Sequence, residues 1–282
     1  MARVLIAGCG YVGSAVGIRL AAEGHLVWGL RRKPQDLGRG IQPVRADLTK
    51  PETLDVPGQL DFVIYTAAAD RNEERAYRAI YIDGIVNLIE ALKRKETTIR
   101  RFLFTSSTAV YSQSSGEWVD EESSTEPSHF SGQRLLEGER VLLNEAFPST
   151  VLRLGGIYGP GRARLIECVR RGEAVCPEKA RTYSNRIHLE DCVGALHHLM
   201  NLQTCQSLYL AVDHDPAGRC EVLRWIAQRL GVPPPHKVET TVPENRASKR
   251  CRNTRLICSG YAFRYPTFRE GYEAVLRDEN HA

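Results

Sequence analysis

The chain has 282 residues, 42% apolar and 26% charged, a composition that excludes collagenous and wholly disordered classes and leaves room for two domains. Lys and Arg number 38 against 34 Asp and Glu, so the net +4 is too small and too evenly spread to mark a nucleic-acid-binding surface. No apolar run approaches the roughly 18 residues that a membrane helix needs.

Eight cysteines, at positions 9, 168, 176, 192, 205, 220, 251 and 258, form no CxxC pair and have no histidine spacing of zinc-site type, so no metal is expected. The first residues turn into glycines after four apolar positions, without the apolar stretch of a secretory signal, and reduced thiols in the cytoplasm are the expectation. Of the basic residues 31 are Arg, a skew that suits phosphate and carboxylate recognition but that a compositional bias would also produce.

In chain order, the apolar run 4–7 reads as a strand buried on both faces, followed by a helix over 11–23 whose apolar residues Val12, Ala15, Val16 and Leu20 recur at helical steps. Gly24 ends it, and 26–30 reads as a second strand. Strands are expected at 43–47, 62–67 and 101–105, with a long helix over 72–95 between the last two. A helix over 132–147 leads into a strand at 150–154. This alternation predicts an α/β fold with a doubly wound parallel sheet over residues 1–155. Beyond Gly155 the pattern changes to glycine- and proline-rich turns, helices near 165–171, 189–203 and 219–230, a strand at 207–212 and a terminal helix after Pro266. Residues 156–282 are therefore expected to form a smaller C-terminal substrate lobe.

Gly8-Cys9-Gly10-Tyr11-Val12-Gly13 fits G-x-G-x-x-G between a buried strand and a helix. Glycines suit these positions because the turn is tight, a pyrophosphate must approach backbone, and the helix must pack close to the strand. Gly8, Gly10, Tyr11, Val12 and Gly13 are accordingly expected to cradle a dinucleotide at the helix N-terminus. An NAD-preferring site usually carries Asp or Glu about 20 residues further on. Here the second strand ends in Arg31-Arg32-Lys33, with no carboxylate between Gly24 and Gln35. Arg31 and Arg32 could pair with a 2′-phosphate, which favours NADP(H) over NAD(H).

Further motifs carry a family resemblance: Ala67-Ala68-Ala69 after the fourth strand; Gly84 with Asn87-Leu88-Ile89-Glu90-Ala91; Thr105-Ser106-Ser107 with Val110-Tyr111; Leu152-Arg153-Leu154 with Gly156-Ile157-Tyr158-Gly159-Pro160-Gly161; and Arg186-Ile187-His188 with Asp191. In this order and spacing, and over nearly the whole chain, they resemble the short-chain dehydrogenase/reductase superfamily, on its extended or atypical, NAD-dependent epimerase/dehydratase side. The resemblance implies a Rossmann domain in which Asp47 and Leu48 flank the adenine, Ala67, Ala68 and Ala69 line the cofactor, and Gly156 with Ile157 pass near the nicotinamide. It also suggests a homodimer paired through the helices over 72–95 and 132–147.

The family's chemistry uses a Ser or Thr after the fifth strand and a Tyr-x-x-x-Lys pair on the next helix. Ser107 matches the first, but the Tyr position falls on Phe130, the Lys position on Arg134, and the Asn often found three residues before Gly84 is Tyr81. Phe130 has no proton to give, whereas Arg134 keeps its charge and could still hold ribose hydroxyls. Ser107, Tyr111 and Arg134 are the catalytic candidates, with His129 a weaker substitute acid. The acidic stretch 117–122 fits either a substrate lid or a solvated loop, and Arg162, Arg164, Arg186, Lys249 and Arg250 either anchor an anionic substrate or serve solubility. His188 is expected to hydrogen-bond within the fold.

The leading expectation is an atypical NADP(H)-dependent oxidoreductase acting on a small sugar-like or anionic carbonyl or alcohol. An epimerase or dehydratase of sugar nucleotides and a non-catalytic NADP(H)-binding sensor remain open beside it. No nucleic-acid or membrane partner is expected.

Overall fold

Continuous apolar runs become strands buried on both faces, while the edge is taken by the run that carries a proline. The computed structural model describes residues 1–35, 37–177, 182–239 and 248–279. Seven parallel strands form the central sheet: β1 (Arg3–Ala7), β2 (Leu26–Arg31), β3 (Ile41–Arg45), β4 (Phe62–Tyr65), β5 (Arg101–Ser107), β6 (Ser149–Leu154) and β7 (Leu208–Ala211). Their order is β7-β6-β5-β4-β1-β2-β3. All four residues of β4 are buried, and Val4 to Ala7 of β1 likewise.

The chain winds outward from β1 to β3, then crosses back to β4 on the other side of β1 and winds outward again. The reversal lies between β1 and β4, paired in register from Val4 with Phe62 to Ala7 with Tyr65. In open α/β sheets, ligands bind outside the carboxyl ends of strands at such a switch point. Here that end carries Gly8 and Thr66-Ala67.

The strand expected at 43–47 lies at Ile41–Arg45, on the edge, where Pro43 removes no needed ladder bond. Ile41 is drawn in by two glycines: a Cβ on Gly17 or on Gly29 would come within 2.6 Å or 2.9 Å of its side chain.

The chain groups into two compact units, neither contiguous in sequence. The first comprises Met1–Val110, His129–Arg153 and Ala195–Tyr209; the second comprises Tyr111–Ser128, Leu154–Gly194 and the described residues of Leu210–Ala282.

In the first unit, α1 (Tyr11–Ala22) follows β1 directly. The expected helix over 72–95 is three pieces: α2 (Glu74–Arg78), one π turn (Ala79–Asp83) and α3 (Gly84–Arg94). The Tyr65 hydroxyl donates to the Ile80 carbonyl inside that turn, drawing it from the helical ladder, which is a recognised cause of such irregularity. The next helix, α4 (Phe130–Leu143), begins two residues before its expected start because the His129 ring accepts the Ser131 N–H and caps it. Beneath α4 lies a buried ion pair: Arg153 Nη2 donates to Glu139 at 2.6 Å, Arg153 Nε adds a bond of 3.0 Å, and the Ser106 hydroxyl donates to the same carboxylate. Arg101, also buried, donates to the carbonyls of Leu199 and Leu202, satisfying groups that a helix end leaves unpaired.

The second unit holds α5 (Arg164–Arg170), most of its core around Ile166, Val169, Ile226, Phe268 and Tyr272, and three two-stranded parallel ladders. These join Gly156–Tyr158 to Arg186–His188, Val175–Pro177 to His236–Val238, and Trp118–Val119 to Arg250–Cys251. Runs of two or three residues give no period to read, so sequence patterning does not reveal them. The helix α6 (Leu189–Asn201) joins the two units in sequence. It is followed by α7 (Arg219–Leu230), closed by Gly231 at φ 67°, then α8 (Thr254–Cys258) and α9 (Phe268–Glu279). Among the described residues no helix is long and apolar enough to cross a membrane.

Candidate functional site

At the switch point the glycines divide by task. Gly8 has φ +91°, a conformation that L side chains rarely adopt, and a Cβ there would overlap the Ala67 backbone. On Gly13 a Cβ would lie 2.6 Å from Thr66 Oγ1 and 2.7 Å from the Gly8 carbonyl. These two glycines let β1, β4 and α1 close on one another. At Gly10, by contrast, the nearest atom would be 3.9 Å away, so this glycine keeps space open beside the helix N-terminus. Gly10 caps α1 without a side-chain bond, and the first turn of α1, which contains Tyr11, Val12 and Gly13, holds no acidic residue. A first turn without acidic residues, the positive end of a helix and an uncrowded approach suit an anion, and a dinucleotide pyrophosphate fits them. Cys9 is fully buried behind the turn, its thiol pushed up by burial against the opposing influence of Ser14 and Arg31.

Arg31 ends β2, Arg32 follows it, and both are exposed. Arg32 donates to Asp70 at 3.3 Å, whereas the Arg31 guanidinium makes no hydrogen bond or ion pair among the described residues. Asp70, which follows Ala67-Ala68-Ala69 beyond β4, thus holds a guanidinium of the candidate site, a pairing that sequence spacing missed because it lies 38 positions from its partner. After β3, Asp47 is half-buried and accepts the backbone N–H and hydroxyl of Thr49 at 3.0 and 2.8 Å, which fixes the turn. Leu48 is buried, and its carbonyl accepts from Asn87 at 2.9 Å, tying that turn to α3. Ala67 is buried, Ala68 exposed and Ala69 half-buried. Burial and the neighbouring Tyr77 push the Tyr81 hydroxyl up to about 12, so it stays protonated. Tyr81, at the position where the family resemblance implies Asn, packs its ring 5.3 Å from that of Tyr77.

Ser107 closes β5 with its Oγ accepting the Ala109 N–H at 3.2 Å, and its own proton goes to no acceptor among the described residues. Phe130 opens α4, stacked between the His129 ring at 4.2 Å and the edge of Tyr77 at 5.4 Å. One turn on, Arg134 donates to Glu137 at 2.7 Å and lies 3.7 Å from Glu74, while its Nε is buried without a hydrogen bond. Two carboxylates thus orient Arg134, a role for Glu74 and Glu137 that sequence reading did not assign.

The other candidates belong to the second unit. Tyr111 is 1% exposed, its hydroxyl donating to the Asp120 carbonyl at 2.8 Å and its own carbonyl accepting from Lys249 Nζ at 2.9 Å. Burial pulls the Lys249 ammonium down, and this lysine serves the interior of the unit. Gly156 and Ile157 pair in register with Arg186 and Ile187. Arg162 and Arg164 are exposed; Arg186 is buried; Arg250 lies between the rings of Trp118 and Tyr183, 4.7 and 4.9 Å from their centroids. Among the described residues no three His, Cys, Asp or Glu side chains are grouped to hold a metal ion.

The chain is similar to known proteins in sequence and fold. A solved structure from Methylobacillus flagellatus, assigned as an NAD-dependent epimerase/dehydratase, is 34% identical over 99% of both chains, with a TM-score of 0.83. Protein YeeZ of Escherichia coli (strain K12) is 28% identical over 254 residues, 83% of this chain and 86% of that one. A 3-diazoavenalumate denitrifying reductase from Streptomyces sp is 26% identical over 255 residues, 83% of each chain. The model of the NAD dependent epimerase/dehydratase family matches residues 4–204, a span that takes in the glycine cradle, the switch point, Ser107 and the Arg186-Ile187-His188 strand. With its parallel Rossmann sheet and a glycine turn shaped for a nicotinamide dinucleotide, the chain belongs to the NAD dependent epimerase/dehydratase family.

Proposed function

We propose that the protein is an NADP(H)-dependent oxidoreductase acting on a small carbonyl or alcohol substrate of sugar-like or anionic character. The observation that carries this reading is the end of β2: an exposed guanidinium at Arg31 that makes no hydrogen bond or ion pair among the described residues, beside Arg32, where an NAD-preferring site has a carboxylate. The similarity to a Streptomyces reductase supports the direction of the chemistry.

When bound, the nicotinamide supplies or accepts a hydride. Gly8, Gly10, Tyr11, Val12 and Gly13 hold the pyrophosphate against backbone donors, Arg31 and Arg32 engage a 2′-phosphate, and Asp47, Leu48, Ala67, Ala68 and Ala69 bound the adenine and ribose sides. Gly156 and Ile157 pass near the nicotinamide. Arg134, oriented by Glu74 and Glu137, holds ribose hydroxyls. Phe130 excludes water without giving a proton, so Ser107, whose hydroxyl proton goes to no acceptor among the described residues, steadies the substrate oxygen and passes a proton to it from water. Tyr111, with its hydroxyl committed to Asp120, has a supporting place. Without a strong acid, positioning and electrostatics carry the rate. A homodimer through α3 and α4 belongs to the same reading, because Val86 and Leu143 expose apolar surface on those helices.

The test titrates the protein with NADPH and NADH by fluorescence, then screens aldehydes, ketones and keto sugars for nicotinamide oxidation. Tighter binding of NADPH with turnover of a carbonyl is expected. Preference for NADH overturns the cofactor assignment. Tight NADPH binding with no turnover, and with cofactor-dependent capture of a partner, supports the non-catalytic sensor instead.

A further inference from the structure

Four buried polar atoms in the second unit have no hydrogen-bond partner among the described residues: Tyr158 Oη, Arg186 Nη1, His188 Nε2 and Asp213 Oδ2. Their residues are between 2% and 4% exposed. Buried polar atoms are almost always satisfied, so four orphans need a common explanation.

They share one place. Arg186 and His188 are two apart on a single strand and project to one face, and His188 pairs in register with Tyr158, whose ring meets its edge at 5.3 Å. The Asp213 N–H donates to the Arg186 carbonyl at 2.7 Å, which sets its carboxyl beside the same strand. The Tyr158 hydroxyl feels the Asp213 carboxyl and the Arg186 charge, and the Asp213 carboxyl feels the same Arg186. The helix α9 closes the face: Phe268 lies 5.6 Å beneath the Arg186 guanidinium, Tyr272 stacks on Tyr158 at 4.3 Å, and a Cβ on Gly271 would overlap the Tyr158 hydroxyl.

The chemistry of the four atoms is lopsided. His188 Nδ1 accepts the Glu190 N–H at 3.2 Å, so its neutral ring carries the proton on Nε2, and burial pulls its pKa down to about 4, which keeps it neutral. Nε2, Tyr158 Oη and Arg186 Nη1 are therefore three donors. Burial pushes the Asp213 carboxyl up to about 8, against the pull of Arg186 and with Asp215 and Asp191 adding to the rise, so at neutral pH it too is largely protonated. The other carboxylates nearby are spent: Asp191 accepts from Tyr261 Oη and the N–H groups of Arg264 and Tyr265, and Asp215 pairs with Arg269. A water accepts about two hydrogen bonds and must donate its own protons, for which a protonated Asp213 leaves little room. A negative ion accepts from all sides and offsets the Arg186 charge.

The geometry points to a small internal anion site in the second unit, where Arg186, His188, Tyr158 and Asp213 surround one monovalent inorganic ion of chloride size. It is separate from the dinucleotide cradle and does not depend on the proposed activity.

The experiment measures thermal unfolding of the full chain at pH 6.5 in gluconate, then with chloride replacing gluconate at constant ionic strength, alongside crystals soaked in bromide. Saturable stabilisation by chloride and an anomalous bromide peak in contact with Arg186 and Tyr158 are expected. Tyr158→Phe keeps the ring and its stack but removes one donor, so it folds and weakens the chloride midpoint by about tenfold, the factor expected for one lost hydrogen bond to a charged partner. Equal unfolding temperatures in the two salts, or a bromide map with no peak at these atoms, overturns the site. A chloride effect of unchanged midpoint in Tyr158→Phe overturns it as well.

Discussion

Arg31 and Phe130 test different halves of the proposed function because one concerns binding and the other proton supply. The exposed Arg31 guanidinium makes no hydrogen bond or ion pair among the described residues, so Arg31→Ala chiefly removes what it would give a ligand. A charge-assisted bond is worth roughly 1.5 to 3 kcal/mol, and partial solvent exposure trims it, so NADPH affinity is expected to fall by about tenfold or more while NADH affinity stays level. Isothermal titration of both nucleotides checks this; equal losses would show that Arg31 acts on something other than the 2′-phosphate. By the family resemblance, Phe130 and Arg134 take the places of an acid and its activator. Phe130→Tyr with Arg134→Lys restores that pair at the start of α4, where His129 already caps the helix and Tyr77 already packs on the ring. General-acid catalysis contributes roughly 10²- to 10⁴-fold, so the double variant is expected to raise kcat on any substrate the parent reduces by at least about tenfold. No gain in kcat would place the reacting carbonyl away from the head of α4. Spacing counted from Ser107 singles out both residues, and both lie in the first two turns of α4. Asp70, Glu74 and Glu137, which hold their arginines, were not legible in the sequence, since ion pairing across elements leaves no local period.

Among the elements, the π turn between α2 and α3 is the departure from regularity with an identifiable cause. Periodicity predicts one helix over 72–95, and the apolar face of α3 does follow it, with Ile85, Leu88, Ile89 and Leu92 buried. What periodicity omits is set by partners far along the chain: the Tyr65 hydroxyl reaches the Ile80 carbonyl, and α4 crosses so closely that a Cβ on Gly138 would overlap the Tyr81 carbonyl. Gly138→Ala is therefore expected to cost about 1 to 3 kcal/mol, the usual range for overpacking where the obstacle is backbone. Tyr65→Phe, which frees the Ile80 carbonyl inside the protein, is expected to cost about 1 to 3 kcal/mol. Urea unfolding of each variant measures these, and a loss below about 0.5 kcal/mol, the level of an ordinary surface change, in both would show that the turn is not held from outside. The same limit explains the short ladders of the second unit, whose strands exist through their partners. The central strands were readable because burial on both faces writes an apolar run into the sequence itself.

For the molecule as a whole, pH offers a measurement in which two buried groups oppose one another. His188 has its pKa pulled from 6.5 to about 4 by burial, so the folded state binds fewer protons than the unfolded state between those values, and stability rises with pH across that window. Asp213 moves the other way, from 3.8 to about 8, again mainly through burial. The folded state then binds more protons than the unfolded one, so the stability from Asp213 is fully present below the unfolded value and falls as pH rises towards about 8. Between pH 4 and 6.5 the two slopes largely cancel, each limited to about 1.4 kcal/mol per pH unit. Above 6.5 the histidine contribution is complete and the aspartate alone remains. Stability is therefore expected to decline between about pH 6.5 and 8 by an amount on the order of 1 to 2 kcal/mol. Asp213→Asn, which cannot ionise, should flatten that decline while leaving the rise due to His188 exposed at lower pH. Urea midpoints at half-unit steps of pH in both proteins test the pair together. A parent curve that stays level from pH 6.5 to 8, or a variant curve that still falls there, would show that Asp213 is ionised inside the fold across that range.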